Sequence, residues 1–347
     1  MENLQDHQIL IEQINSPAFL VKNGVITAVN RRAAQYMAEI GTDIASILTN
    51  GQEEYREFKT GCIFLNISLC GVTYTCSVTQ LQTHQLFAIE ENTTYGELQA
   101  LSLAAQQLCI PLSEISLMIE TLNHISSDQK AKISQNLHKL QRIIGNMSDA
   151  EHFISAVPKM ATFELCAIFE EILEKAKTLL LKSSITLSYT LPTKPVYSLA
   201  EPEIIKRAVY NLISNAAKFT PAGKSIDISL KQAGNRLYFS VTNGSHTAQG
   251  ISGNIFQRYT RPPGLEDPRF GLGLGMTVVR AAAAAHGGTV LAEQTQNHHI
   301  KITMTLAIQK NNDHNVRSPI LIPDLYGGRD QALIELSDIL PYQAYMD

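Results

Sequence analysis

No run of about 18 consecutive apolar residues occurs in these 347 residues, so the sequence predicts no membrane insertion. The first residues, MENLQDHQILIEQ, lack the basic-then-apolar layout of a secretory signal. Cysteine is sparse: Cys62, Cys70, Cys76, Cys109 and Cys166 are odd in number and form no CxxC pair. That excludes a zinc ribbon and a disulfide framework, and predicts reduced structural thiols. Charge of one sign is lacking too; a formal net charge of −4 gives no pull toward nucleic acid or an anionic membrane. Together these absences predict a cytoplasmic chain. Its length allows two or three domains, and 44% hydrophobic residues suffice for their cores.

What is present centres on Arg207–Pro221, RAVYNLISNAAKFTP. Ala208, Leu212, Ile213 and Ala216 recur at helical spacing and predict one buried face. Asn211, Asn215 and Lys218 recur at spacings of four and three and share a second face. Two amides and an ammonium on one stripe can hold a hard cation and the phosphates it bridges. Further on comes Phe270–Gly288, FGLGLGMTVVRAAAAAHGG, in which alternating glycines open a helix. Backbone N–H groups at such a turn suit an anion. NLISNAAKFTP resembles the N box of sensor histidine kinases, and GLGLG with AAHGG resembles their second glycine box. The resemblance implies an ATP-binding two-layer α/β sandwich shared by histidine kinases, certain chaperones and mismatch-repair ATPases.

From about Ile9 to Glu90 the chain reads as a small mixed α/β domain. Ala18–Lys22 and Val25–Val29 flank Asn23-Gly24, a strong hairpin signal, and Asn30 sits where a helix cap belongs, before Arg31–Met37. Cys62–Leu69, Val72–Gln80 and Gln85–Glu90 follow as strands. Five strands around short helices, opening PAFLVKNGVITAVNRRAAQYM, resemble a PAS domain. The segment is short for an enclosed ligand, so no haem or flavin is expected, and His84 is read as a surface or core residue.

Leu98, Leu101, Ala105, Leu108, Leu112, Ile115, Ile119 and Leu122 alternate spacings of three and four, a coiled-coil seam. After Ser126-Ser127-Asp128, the pattern returns at Ile133, Leu137, Leu140, Ile144 and Met147. Two such helices have too little core alone; pairing two copies gives a four-helix bundle, hence a homodimer through 98–154.

In the family this hairpin carries the phosphoacceptor in a stretch like SHELRTPL. Here the matching text is AQQLCIPL, registered by Pro111-Leu112, which puts Gln106 at the histidine, Gln107 at its acidic neighbour and Cys109 at the arginine. An imidazole nitrogen has a lone pair that can attack a γ-phosphate; an amide nitrogen has its pair delocalised into the carbonyl. Gln107 also lacks the carboxylate of a general base. No catalytic residue is therefore expected on this helix. His124 lies 18 residues on, and His138, beside Leu137 on the second helix, reads as a solvent-facing residue.

By resemblance, Asn215 would bind magnesium, Asn211 and Lys218 would lie near the phosphates, and Phe219 would flank the adenine. Gly271, Gly273 and Gly275 would let backbone approach the triphosphate, while IFQRYTR offers Arg258 or Arg261 to phosphate. Where the family reads VxDNGxGI, this chain reads VTNGSHTAQGI, with Asn243 at the adenine-binding aspartate and an insertion before Gly250-Ile251. Replacing a charged hydrogen bond worth ~1.5–3 kcal/mol by a neutral one worth ~1 lowers affinity about ten-fold. Weak or absent binding of ATP with magnesium is the expectation.

The whole reads as an α+β multidomain protein. Residues 1–94 form a PAS-like domain, 95–157 an antiparallel dimerisation hairpin and 158–309 a histidine-kinase-type ATPase domain. Residues 310–347 form a tail in which Asp330 caps a short helix with the stripe Leu333, Leu336, Ile339 and Leu340. The expected function is signal transduction by a non-phosphorylating family member, with a response regulator as candidate partner. Alternatives are an active kinase using another acceptor, a nucleotide-free dimeric scaffold, and an anti-sigma-type serine kinase, which would not need the hairpin.

Overall fold

The computed structural model describes residues 11–90, 94–121, 125–155, 159–244, 274–295, 299–309 and 330–346. Local rules decide the N-terminal part. Asn23 and Gly24 take φ of 53° and 79°, so β1 (Ala18–Lys22) folds straight back on β2 (Val25–Val29). The Oδ1 of Asn30 accepts from the Ala33 N–H at 2.8 Å, capping α1 (Arg31–Ala34), which ends earlier than expected. Two more short helices, α2 (Ile44–Ile47) and α3 (Gln52–Glu57), lead into β3 (Cys62–Leu69), β4 (Val72–Gln80) and β5 (Gln85–Ile89). The strands lie in the order β2-β1-β5-β4-β3 over a core in which Phe19 and Phe87 stack at 5.0 Å.

Two long helices follow, α4 (Thr94–Thr121) and α5 (Ser127–Ser155), packed together as a hairpin. Ser126 and Gln129 make a reciprocal cap at the start of α5, each accepting from the other's backbone N–H, at 3.2 and 3.0 Å. The seam divides. Ala105, Leu112, Leu137, Ile144 and Met147 are buried, whereas Leu108, Ile115 and Leu140 remain 48, 47 and 48% exposed. By length and composition, Gln99–Ile119 is the one described helix apolar enough to cross a bilayer. The sequence expectation counted uninterrupted apolar runs; a heptad helix reaches similar hydropathy while interleaving Gln106, Gln107 and Ser113.

In the C-terminal part, β6 (Ala161–Glu164) pairs with β8 (Tyr197–Ala200). The Glu164 carboxylate caps α6 (Leu165–Leu181), accepting from Cys166 and Ala167. Strands β7 (Thr186–Thr190), β9 (Ser225–Ala233), β10 (Arg236–Gly244), β11 (Val290–Gln294) and β12 (His299–Ala307) form a sheet ordered β7-β9-β10-β12-β11. Helices α6, α7 (Pro202–Phe219) and α8 (Gly275–Ala285) share its core, where Phe169 stacks on Phe239 at 5.0 Å.

Two features were not legible beforehand. Strand β11 pairs antiparallel with β3, Leu291 opposite Ile63 and Ala292 opposite Cys62, fusing both sheets into one of ten strands. Across this junction Arg280 holds Glu90 bidentately and sits 4.0 Å over the Phe64 ring. The second feature is the C-terminal segment: Asp330 caps α9 (Gln331–Glu335) as expected, and a 3-10 turn follows at Tyr342–Tyr345. Ala332, Leu336, Leu340 and Tyr345 join the same core as α6 and α7, so this segment docks on the body.

Candidate functional site

Helix α7 begins with Pro202 in its first turn and ends with Lys218 in its last, both suited to those ends. Its buried face carries Ile204, Ile205, Ala208, Val209, Leu212 and Ile213. Asn211 is also buried; its amide donates to the Arg207 carbonyl at 2.9 Å and lies 3.4 Å from Asn146 Oδ1 of α5. A Cβ at Gly275 would stand 2.6 Å from Asn211 Oδ1. Glycine there lets the start of α8 close over α7, so the two sequence motifs meet. Asn215 and Phe219 are partly exposed at the end of the same helix, where the Lys218 side chain is nearly buried. Gly250, Arg258, Arg261, Gly271 and Gly273 lie outside the described residues.

Asn243, at the end of β10, is buried and its Nδ2 donates to the Ala216 carbonyl of α7 at 3.3 Å. An aspartate could not make this bond. The substitution noted in the sequence thus exchanges a charge for a strand-to-helix tie.

The second half of the glycine motif has a structural task. Gly287 takes φ of 66° to end α8, and a Cβ at Gly288 would clash with the Thr305 carbonyl oxygen. Between helix and glycines, buried His286 donates from Nδ1 to the Ala282 carbonyl at 2.8 Å and accepts the Glu201 N–H on Nε2 at 3.1 Å. Accepting at Nε2 while donating from Nδ1 requires the neutral ring, and burial holds its pKa below the ordinary value. A lowered folded-state pKa means that the unfolded chain binds the proton first as pH falls. His286 therefore contributes fully above about pH 6.5 and progressively less below it. Urea unfolding from pH 7.5 to 5 should show this loss, and His286→Gln should flatten it; an unchanged slope would refute the assignment.

On the hairpin, Gln106 and Gln107 are exposed on α4. His138 departs from expectation. It is buried, its Nδ1 donates to the Ser134 carbonyl at 2.7 Å, and its ring centroid lies 5.0 Å from that of Tyr345. The seam spacing that suggested a solvent face carries no information about a segment arriving from the far end of the chain. His124 lies outside the described residues.

That segment also brings acids that the sequence motifs did not flag. Lys218 Nζ lies 2.8 Å from Asp338 Oδ2, and Arg142 of α5 reaches the same oxygen at 2.5 Å. Arg207 of α7 pairs with Asp149 of α5 and with Glu335, and Glu335 Oε2 lies 3.7 Å from Arg142 Nε. Burial lowers the Arg142 pKa, with Asp338 opposing that shift and Arg207 adding to it. Among the described residues no group of three or more His, Cys, Asp or Glu side chains could hold a metal ion. A magnesium ion would instead need amide oxygen and phosphate, for which partly exposed Asn215 is suited.

Residues 200–310 match the family of histidine kinase-, DNA gyrase B-, and HSP90-like ATPases. Hybrid signal transduction histidine kinase D of Dictyostelium discoideum is 28% identical over 200 residues, 53% of this chain and 12% of that protein. The adaptive-response sensory kinase SasA of Microcystis aeruginosa is 27% identical over 237 residues, covering 61% of this chain and 59% of that one. SasA of Synechocystis sp. is 25% identical over 231 residues, with the same two shares. The chain thus spans less than two thirds of these relatives. Full-length ShkA, solved in complex with AMPPNP, superposes with a TM-score of 0.50 at 17% identity, over 61% of this chain and 46% of that one. That likeness concerns the fold.

Proposed function

We propose, from the premise that the chain belongs to the sensor histidine kinase family, that it is a signal-transduction member which does not phosphorylate itself. One observation carries this reading: Gln106 is exposed on α4, and the resemblance registered by Pro111-Leu112 puts it at the position of the family's acceptor imidazole. The nitrogen lone pair of a carboxamide is delocalised into the carbonyl and is not available for in-line attack. Gln107 and Cys109 in place of acidic and basic neighbours also argue against a phosphatase role at this helix.

The N-terminal sheet and short helices fit a PAS-like module. The outward half of the seam, with Leu103, Ile110, Leu117 and Met118 also 58–66% exposed, suits burial against a second hairpin. That supports a homodimeric four-helix bundle with a response regulator as partner. Asn211, Asn215, Lys218, Phe219, Asn243 and Gly275 would form the nucleotide-facing side of the ATPase domain, with Asn215 as the magnesium ligand. Asn243, lacking charge and already tied to Ala216, supports weak binding.

Incubation with [γ-³²P]ATP and magnesium should leave the wild-type chain without acid-labile label. Label mapped to His124 or His138 would establish the competing reading, an active kinase with another acceptor.

A further inference from the structure

Two cations from different parts of the fold converge on one oxygen. Arg142 comes from hairpin helix α5, Lys218 from the end of α7, and both reach Oδ2 of Asp338, at 2.5 and 2.8 Å. The two cationic side chains are only 4 and 7% exposed, so this is a desolvated seat for an anionic oxygen. A planar guanidinium and an ammonium sharing one oxygen is the arrangement that also holds a phosphate oxygen. We infer that Asp338 is an internal stand-in for a phosphate oxygen, and that the C-terminal segment competes with polyphosphate for Arg142 and Lys218.

The source of the carboxylates favours this reading. Among the described residues, Arg142, Arg207 and Lys218 pair with Asp149, Glu335 and Asp338. Asp149 belongs to α5, but Glu335 and Asp338 both arrive with the C-terminal segment. Withdrawing that segment removes Asp338 from Arg142 and Lys218, and Glu335 from Arg142 and Arg207.

The segment is also a strap. Gln135 of α5 donates to the Leu340 carbonyl at 2.6 Å, Ser183 after α6 donates to the Ile339 carbonyl at 2.9 Å, and Lys132 lies 4.7 Å over the Tyr342 ring. These contacts tie the second hairpin helix and the end of α6 to the same segment that carries Asp338. Filling the seat with the chain's own carboxylate and fixing the hairpin are therefore one event. Arg142 gains a role that the sequence motifs do not give it, as the hairpin's contribution to an anion seat shared with Lys218.

The inference rests on the proposed nucleotide-facing role of Lys218, and the test separates the two. Full-length wild type and Asp338→Asn are titrated with ATP·Mg²⁺ by calorimetry, and Lys218 acetylation by a soluble N-hydroxysuccinimide ester is followed by mass spectrometry. The expected result is at least ten-fold tighter nucleotide binding and at least ten-fold faster acetylation in the variant. Equal, measurable binding by both proteins overturns the strap while leaving the nucleotide site standing. Binding by neither, with Lys218 now reactive, overturns the nucleotide role and the competition with it. Gln135→Ala loosens the strap without touching the cations; if Asp338→Asn does not fold, unchanged binding and acetylation in Gln135→Ala overturn the proposal.

Discussion

Replacing Glu335 by alanine is expected to lower folding stability by about 3–5 kcal/mol, because it takes the carboxylate that two buried guanidinium groups share out of a desolvated ion cluster. The Glu335 side chain is fully buried and pairs with Arg207 on one side and Arg142 on the other. Arg207 keeps Asp149 and Arg142 keeps Asp338, but the cluster is left one carboxylate short, and charge imbalance in a desolvated site costs more than an ordinary hydrogen bond returns. Against a total of about 5–15 kcal/mol for a typical domain, the change is large. Asp128 provides the contrast. It pairs with Lys132 at 2.7 Å on α5, but both side chains are about half exposed. Asp128→Ala should cost far less, since water screens that pair. Urea unfolding of both variants tests the difference, and a Glu335→Ala cost as small as that of Asp128→Ala would contradict the burial argument.

The second large effect is expected at Gly61→Ala, about 2–5 kcal/mol, concentrated at the junction of the two sheets. Gly61 takes φ of 87°, which costs an alanine ~1–2 kcal/mol, and its Cβ would run into the Ala292 carbonyl oxygen. Overpacking against backbone adds about 1–3 kcal/mol, because a carbonyl in a strand cannot rotate away. The junction consists of just two residue pairs, so it should open before either core does. Gly24 separates the two contributions: its φ is 79°, yet a Cβ there would meet nothing within 4 Å. Gly24→Ala should therefore show the conformational cost alone. Hydrogen exchange should quicken at 60–65 and 289–293 in Gly61→Ala while the strands holding Phe19 and Phe239 stay protected. Identical exchange maps for the two variants would rule out a clash at the junction.

The two experiments probe connections that bear on the proposed signalling role. The β3–β11 junction joins the N-terminal sheet directly to the ATPase-type sheet, and the ion cluster joins that same domain to the hairpin. A change in the N-terminal sheet thus has a covalent route through α4 and a non-covalent one through β11. Arg280 reinforces the latter by holding Glu90, the residue after β5.

What could be read from the amino-acid sequence was local. Asn23-Gly24 sets its turn because both residues tolerate positive φ, Asn30 caps because its side chain reaches back to nearby N–H groups, and the buried stripe of α7 follows from helical spacing. The absence of an imidazole at Gln106 is a matter of covalent identity, which folding cannot alter. Tertiary structure alone decided that β11 would find β3, that His138 would be covered by Tyr345, and that Asp338 would settle between Arg142 and Lys218. Edge-strand pairing uses backbone groups that every residue has, and an ion pair between distant segments leaves no periodic trace. Such partners are chosen by the packing that brings the segments together.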